Sequence, residues 1–464
     1  MTISSPTLED LNGDGVSDIV FGSGYERVQI RNGEFVFTPE PEISGYVIAV
    51  SGATNAVLWQ VPNRRYAFTS PRFSDLNRDG TADVVMGGRE GAFSAFSGKD
   101  GALLWRVTPE SIAPSSFPYN FFTPALIRDA NRDGIADLIA VYGGDDLKKP
   151  KEPRGPSYVA VISGVDGAVL HVHPSPDSGE IYSSPVVYER TDGAEWLLFG
   201  TGGESLPGAA YRVPVAALLD ETFASRIERL VPRGEKGVIA PATLVELTGD
   251  TEPDIVISGF DGRLIVLDGL TGNALWQRHD RNEEAYHSPA VVRLAPDGRL
   301  GLFLSRGIGV FPNYAGTAHR LLDAKDGRAL FEYKDVYYPA GAPLAVDLNG
   351  DGFDEPMFFT TRFPNAEGGR IYILQTSGKL IAHEIPLNST STPVIADLRG
   401  KGTLELIMTS WMLQPGADSL TWRDLRWQLH RMDLNAKTPS FLGWPGYMGT
   451  HTDGKYRSPA RAAQ

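Results

Sequence analysis

A small residue followed by proline and then a short apolar run recurs along the whole chain. It appears at Ser5-Pro6, Ser70-Pro71, Thr123-Pro124, Ser184-Pro185, Ala240-Pro241, Ser288-Pro289, Ala342-Pro343, Thr392-Pro393 and Ser458-Pro459. Successive prolines lie 48 to 66 residues apart, about 57 on average. A fixed period of this size commits a chain to repeated units that bury their faces only against one another. Nothing else in the sequence restricts the fold as strongly.

Each unit reads as four short strands. In the fifth, Pro241 to Leu247 is followed by a turn, then Asp254-Ile-Val-Ile-Ser, Arg263-Leu-Ile-Val-Leu-Asp and Asn273-Ala-Leu-Trp276-Gln. The second matches with Ala82 to Met86, Ala92 to Phe96 and Ala102 to Trp105. Runs of β-branched and aromatic residues punctuated by Gly and Asp-Gly are antiparallel strand signals. Helical periodicity competes only near Ala216–Arg229. A lone four-stranded sheet leaves both faces wet, whereas radial repetition covers them. The expectation is an all-β fold: one β-propeller of eight four-stranded antiparallel blades over residues 1–464, with seven or nine left open because the fourth unit is degenerate over Ala209–Leu230 and the first carries an insertion near residues 24–45. The blades fall near 6–62, 71–107, 124–174, 185–232, 241–279, 289–334, 343–386 and 393–459. The aromatic residue of the outer strand (Trp59, Trp105, Trp276, Phe331) suits a wedge between neighbouring blades. The segment 440–460 is expected to lie across the junction with the first unit.

Composition agrees and excludes much. With 42% apolar and 22% charged residues the chain can build a core, and 51 Gly with 33 Pro favour tight turns. A net charge of −14 argues against a nucleic-acid binder. The absence of cysteine removes disulfides, thiolate zinc sites and cysteine nucleophiles. No apolar run approaches the ~18 residues of a membrane span. The start, Met1-Thr2-Ile3-Ser4-Ser5, does not read as a signal peptide, so either the chain is cytosolic or a leader has been removed.

Between the first and second strands, four units carry the same oxygen-rich nonapeptide. The sets are Asp10, Asn12, Asp14, Val16 and Asp18; Asp75, Asn77, Asp79, Thr81 and Asp83; Asp129, Asn131, Asp133, Ile135 and Asp137; and Asp347, Asn349, Asp351, Phe353 and Glu355. Oxygen side chains at positions 1, 3, 5 and 9, glycine at 6 and a backbone carbonyl at 7 can wrap one Ca²⁺. Hard oxygen donors disfavour zinc and copper. Asp-Asn-Gly clusters also form turns without any metal; four matched loops at one place in a repeat favour calcium, about four ions in all. The loop from Glu246 to Asp254 lacks the glycine, and the loop from Asp397 to Glu405 puts Arg399 and Lys401 where ligands belong. In the latter, the cations are expected to replace the metal.

The run Asp-Leu-Asn-Gly-Asp-Gly-x-x-Asp-Ile-Val, after Ser-Pro and an apolar strand, resembles the FG-GAP/VCBS repeat of integrin α-subunit propellers and bacterial surface proteins. Ser97-Gly-Lys-Asp-Gly-Ala-Leu-Leu-Trp105 and Asp268-Gly-Leu-Thr-Gly-Asn-Ala-Leu-Trp276 resemble the PQQ-like repeat. The resemblance implies a calcium-binding propeller and says little of activity, since propellers host adhesins, scaffolds, lectins and enzymes.

The expected function is a non-catalytic, calcium-stabilised binding module, for adhesion, scaffolding or carbohydrate or protein recognition. Low-affinity calcium loops suit the periplasm, the cell surface or a secreted protein. The alternative is a calcium-dependent polysaccharide lyase or another carbohydrate-active enzyme on the same scaffold. It would draw a base and charge-neutralising cations from His279, His287, Arg281, His319, Arg306 or Arg362; their spacing singles out none. A PQQ-dependent dehydrogenase is disfavoured by the missing cysteines and by tryptophans placed on outer strands. No Gly-x-Ser-x-Gly, His-Glu-x-x-His or phosphate loop is present. Recognition of a protein or carbohydrate is expected on the face opposite the calcium loops. There the long loops carry Tyr66, Phe68, Phe121, Phe122, Tyr182, Tyr286, His287, Tyr337 and Tyr338. The same aromatics could equally pack between blades.

Overall fold

A computed structural model describes residues 4–24, 28–31, 34–37, 45–63, 67–88, 93–112, 120–145, 148–295, 298–311, 313–362, 368–413 and 425–457. Tyr66 and the last Ser-Pro pair, Ser458-Pro459, lie outside them. The chain forms eight successive antiparallel sheets, with a separate two-stranded hairpin (Val28–Arg31 with Glu34–Phe37) inserted within the first, and the fold is an eight-bladed β-propeller. The first sheet runs Thr7–Glu9, Asp18–Ser23, Gly45–Val50, Val57–Asn63 from its inner to its outer strand. The second repeats it with Arg72–Ser74, Asp83–Met86, Phe93–Phe96 and Leu103–Val107. The third, sixth and seventh add a two-residue strand beside the inner one: Asn120–Phe121, Glu283–Glu284 and Tyr338–Pro339. In the eighth the described residues form three strands, Val394–Ala396, Thr403–Leu413 and Leu425–Lys437.

Burial follows the position of a strand within its sheet. Second strands such as Asp18–Ser23, Asp137–Gly143 and Glu355–Thr361 are buried along their whole length. That is why they read as unbroken apolar runs rather than alternating ones. Outer strands alternate, as Val57–Asn63 does. The weak fourth unit is nevertheless a regular sheet: Val186–Glu189, Glu195–Gly200, Ala210–Pro214 and Glu228–Val231. Its irregularity is confined to the link between the third and fourth strands. The helical signal there becomes a 3-10 turn, Val215–Leu218, and one helical turn, Phe223–Arg226.

Two compact units divide the chain, Met1–Ile239 with Thr409–Gln428, and Ala240–Met408 with Leu429–Gln464. In the first, side chains of adjacent sheets share three apolar layers centred on Val20 and Val84, on Phe93 and Leu138, and on Val141 and Leu197. In the second, one layer gathers Val256, Phe303 and Phe358, and another gathers Met357 and Leu406. The outer-strand tryptophans do wedge between sheets, and each also makes a hydrogen bond. Trp59 Nε1 donates to the Gly98 carbonyl at 2.7 Å, Trp105 Nε1 to Gly164 at 2.7 Å and Trp276 Nε1 to Ala324 at 2.8 Å.

The small-residue–proline motif marks a latch between neighbouring sheets. Ser4 Oγ donates to the Thr69 carbonyl at 2.6 Å and Ser288 Oγ to Pro241 at 2.6 Å. The N–H of Ser70 donates to Thr123 Oγ1 at 3.0 Å, and that of Ala342 to Thr392 Oγ1 at 2.8 Å. In these four pairs a small hydroxyl at the entry to an inner strand satisfies a backbone group that the neighbouring sheet would otherwise bury unpaired.

The C-terminal segment adds to inner strands of the second unit. Trp444 exchanges both backbone hydrogen bonds with Ala345, at 2.6 and 2.9 Å, and Pro445 accepts from the N–H of Ile395 at 2.8 Å. Gly454 and Tyr456 bracket Leu244 at 2.7 and 2.8 Å. Inner strands of the fifth, seventh and eighth sheets, all in the second unit, thus gain an extra partner. The cause is the free edge that every inner strand presents, which an extended segment satisfies by strand addition.

Candidate functional site

The four acidic loops share one hydrogen-bond pattern. The first-position carboxylate accepts from the backbone of the turn: Asp10 from Gly13 and Gly15 at 2.8 and 2.9 Å, Asp129 from Asp133 and Gly134 at 3.1 and 2.7 Å. Asp75 and Asp347 do the same toward Gly80 and Gly352 at 3.1 and 2.9 Å. The third residue accepts from the N–H of the fifth, at 2.8 to 3.0 Å from Asn12, Asn77, Asn131 and Asn349. The fifth accepts from the seventh: Asp14 from Val16, Asp79 from Thr81, Asp133 from Ile135 and Asp351 from Phe353, at 2.8 to 2.9 Å. The glycine at the sixth position has φ of +82 to +89°, which only a residue without Cβ adopts freely.

The ninth position differs in character. Asp18, Asp83 and Asp137 are fully buried, and each staples its loop to the turn between the third and fourth strands. Asp83 accepts from Leu76 at 2.9 Å, Asn77 at 3.1 Å and Gly98 at 3.1 Å, and Asp137 from Ala130 at 2.7 Å and Gly164 at 3.0 Å. Asp18 bridges Leu11 and Gly52 at 3.0 and 3.1 Å. These bonds show that the acidic loops and the Asp-Gly turns share one end of each sheet. Burial pushes the carboxyls of Asp18 and Asp83 up, against the pull of the N–H bonds. In the fifth loop, where other positions have changed, Asp254 keeps the staple to Leu247, Thr248 and Gly269 at 2.8, 3.0 and 3.0 Å. A carboxylate retained after its neighbours have diverged has a structural task of its own.

In the eighth loop one of the two loop cations, Arg399, reaches the Glu405 carboxylate, joined there by Arg431 of the following strand, while Lys401 contributes its backbone N–H. Arg431 approaches Glu405 at 2.7 Å and Arg399 at 3.7 Å. Asp397 accepts from Lys401 and Gly402 of its own turn at 2.9 and 2.7 Å.

The donor chemistry of the first three loops fits calcium: two exposed or half-exposed carboxylates, an amide oxygen and a backbone carbonyl, all hard oxygens. Among the described residues, no three carboxylates or imidazoles converge tightly enough to hold a metal by themselves. The amide and carbonyl donors would therefore have to complete any such site.

The aromatic residues divide by unit. In the first, Phe121 is fully buried and stacks between Phe93 and Tyr142, both at 5.4 Å. Phe122 packs edge-on between Phe68 at 5.6 Å and Tyr182 at 5.2 Å. These rings fill the interior between sheets. In the second unit, Tyr286 meets Phe260 at 4.7 Å and Phe311 at 6.3 Å, and Tyr314 meets Phe311 at 6.4 Å and Tyr338 at 6.0 Å. These rings are half-buried apart from Phe260, and beside them Val310 is 54% and Val336 74% exposed. Glu284 ties the hairpin down, accepting from Tyr314 Oη at 2.7 Å and the Phe311 N–H at 2.9 Å. The Tyr337 ring carries the guanidinium groups of Arg362 at 5.1 Å and Arg370 at 4.6 Å, both of which pair with Glu384 at 2.5 Å.

Sequence reasoning missed Phe311, Tyr314 and Arg370. The 11-residue strands Leu300–Val310 and Asn313–Asp323 place the first two at a hairpin tip. The readable signal was the length of this strand pair, about twice that of its counterparts in the first five sheets.

The candidates for acid–base work do not form a site. His319 is fully buried, with Nδ1 3.0 Å from Ser305 Oγ and its ring 4.3 Å from that of Phe358. Burial drives its imidazole down to about 3, and that of His287 to about 4. Arg306, also buried, donates to the Gly262 carbonyl at 2.7 Å and to Asp280 at 3.2 Å. His279 and Arg281 are exposed, and His279 Nε2 lies 3.1 Å from the Asp261 carbonyl.

No protein-family model matches the chain. Bovine FAM234A is 25% identical over 422 residues, covering 84% of this chain and 70% of that protein. Human FAM234B is 25% identical over 212 residues, covering 43% of this chain and 30% of that protein. Among solved structures, a europium-containing methanol dehydrogenase superposes with a TM-score of 0.56 at 12% identity, covering 89% of this chain and 84% of that one. At such identity the likeness is one of fold.

Proposed function

We propose that this propeller of the FAM234-like kind is a non-catalytic binding module stabilised by calcium. Its ligand, a protein or a carbohydrate, would sit on the aromatic face of the second unit. The observation that carries the reading is the half-exposed row Tyr286, Phe311, Tyr314 and Tyr338, flanked by exposed Val310 and Val336. Rings held by a rigid scaffold offer broad contact at little entropic cost. The row lies at the end of the sixth and seventh sheets opposite their turns between first and second strands. Stability and recognition are thereby assigned to different loops. The burial of His319 and Arg306, which withdraws both from any substrate, supports binding over lyase chemistry.

Asp10, Asn12, Asp14 and the Val16 carbonyl would hold one ion, and their equivalents in the second and third loops one each. Bound calcium would supply positive charge to crowded carboxylates and, by binding the folded state alone, stabilise it. Weak loops of this kind fit an exported protein at the cell surface or in the periplasm. No helix among the described residues is long and apolar enough to cross a membrane.

The test is binding of oligosaccharide and peptide arrays to the full chain and to a Tyr286→Ala/Tyr338→Ala variant. Loss of a bound ligand in that variant, with unchanged melting temperature, is the expected result. Release of unsaturated sugars from acidic polysaccharides, followed by ultraviolet absorbance, would replace the binder with the lyase.

A further inference from the structure

We infer that the seventh acidic loop holds an arginine from the neighbouring sheet in place of a metal ion. Calcium loading would then stop at the three loops of the first unit; this rests on the calcium reading above. The loop keeps the oxygen pattern from Asp347 to Glu355 and departs from the other three at Asp354, where they have Ser17, Ala82 and Ala136, and at Glu355, where they have Asp; neither change by itself excludes a metal.

Arg293 does. It follows the inner-strand triplet Ala290-Val291-Val292 of the sixth sheet, just as Asp10, Asp75 and Asp347 follow theirs. The sixth sheet therefore carries a cation where its siblings carry the first loop carboxylate. The side chain extends to the seventh loop, where Nη2 lies 3.1 Å from Asp354 Oδ1 and 3.7 Å from Asp347 Oδ2. Its main chain is fixed to the same loop: the Arg293 N–H donates to Asp354 Oδ2 at 2.8 Å, and the Asp354 N–H to the Arg293 carbonyl at 3.0 Å. The Phe441 ring packs 5.8 Å from the guanidinium carbon. The Asp347 and Asp354 side chains are buried and that of Arg293 nearly so, and a charge so enclosed is weakly screened.

A guanidinium this close to a first-position carboxylate supplies the charge that calcium would bring, and it repels a dication. The Asn349 amide donates to Glu355 Oε1 at 2.7 Å and to Asp351 Oδ2 at 3.0 Å, but Asn77 makes the same two bonds in the second loop, so it is the guanidinium that sets the seventh loop apart. The eighth loop reaches the same end with Arg399 and Arg431 on Glu405. In the first unit, among the described residues, no ion pair joins Asp10, Asp14, Asp75, Asp79, Asp129 or Asp133 to a lysine or arginine. Arg78 reaches the third loop, but at the backbone carbonyl of Asp133.

The test is the calcium content of the dialysed full chain by elemental analysis, with calcium chloride titrated calorimetrically. The expected count is three for the wild type, still three for Asp347→Asn and two for Asp75→Asn. Arg293→Gln, where it folds, should gain a fourth ion. Four ions in the wild type, falling to three in Asp347→Asn, would overturn the inference and leave the calcium reading standing. No bound calcium in any variant would overturn both.

Discussion

Trp105 Nε1 and the carbonyl of Gly164 lie 2.7 Å apart, joining the outer strand of the second sheet to the turn of the third across 59 residues. Gly167, in the same turn, has φ of +73°, and a Cβ there would stand 2.9 Å from the indole. The ring rests directly on backbone. Trp105→Phe should keep the packing and strand a buried carbonyl, costing about 1–3 kcal/mol. Trp105→Ala should cost about 3–5 kcal/mol, and Gly167→Ala should also destabilise, through strain. Urea midpoints at constant slope measure all three.

The ninth-position carboxylate is a staple with or without metal. Asp137→Asn and Asp254→Asn should each cost about 1–3 kcal/mol in EDTA, because an amide cannot accept the full set of buried N–H groups. Asp133→Asn should be nearly silent in EDTA and destabilising only when calcium is present. Thermal melts of the three variants, with and without calcium, separate the two roles; equal behaviour of Asp133 and Asp137 variants would contradict the assignment.

Calcium should raise the melting temperature of the wild type by mass action, and EDTA should reverse the shift. Asp14→Ala should lose one ion and leave those of the second and third loops bound. A melting temperature indifferent to EDTA would end the calcium reading.

His319 gives stability a pH dependence of known sign. Its folded imidazole is held down to about 3 by burial, against the ordinary 6.5 when unfolded. Between these values the unfolded chain binds a proton that the native one does not, so the imidazole's contribution to stability falls as pH drops below about 6.5. Asp354 and Glu355, pushed up by burial to about 6 and about 7, contribute the opposite slope over part of the same range. Asp18 and Asp83, whose carboxyls are raised, contribute the opposite slope at lower pH. His319→Asn should flatten the decline between neutral pH and pH ~5, where the imidazole term operates. Denaturant midpoints at the two pH values would test it, and an unchanged slope would refute it.

Trp444 is wholly buried and its backbone pairs with Ala345, so the C-terminal segment is part of the second unit's core. Trp444→Ala should cost about 3–5 kcal/mol. Removal of residues from 441 onward should expose the edges of Leu244, Ala345 and Ile395 and promote aggregation, measurable by light scattering.

The repeat, the four-strand units and the Asp-Asn-Asp-Gly loops were legible because each depends on residues close together in the chain. A nonapeptide with glycine at its sixth position folds its own turn, and a run such as Leu138-Ile-Ala-Val-Tyr142 declares a buried strand. The wedge role of Trp59, Trp105 and Trp276 was also readable, because an outer-strand aromatic has only a neighbouring sheet to bury itself in. Tertiary structure alone decided which aromatics stay accessible, for Phe121 and Tyr338 occupy similar places before a proline or an inner strand. One is stacked into the core, and the other lies beside the tip of the long hairpin formed by Leu300–Val310 and Asn313–Asp323. It alone turned the C-terminal segment onto Leu244, Ala345 and Ile395, and it alone brought Arg293 to Asp347. Those partners stand 50 to 212 residues apart. Local propensity carries no information about such pairs; the packing of one sheet on the next selects them.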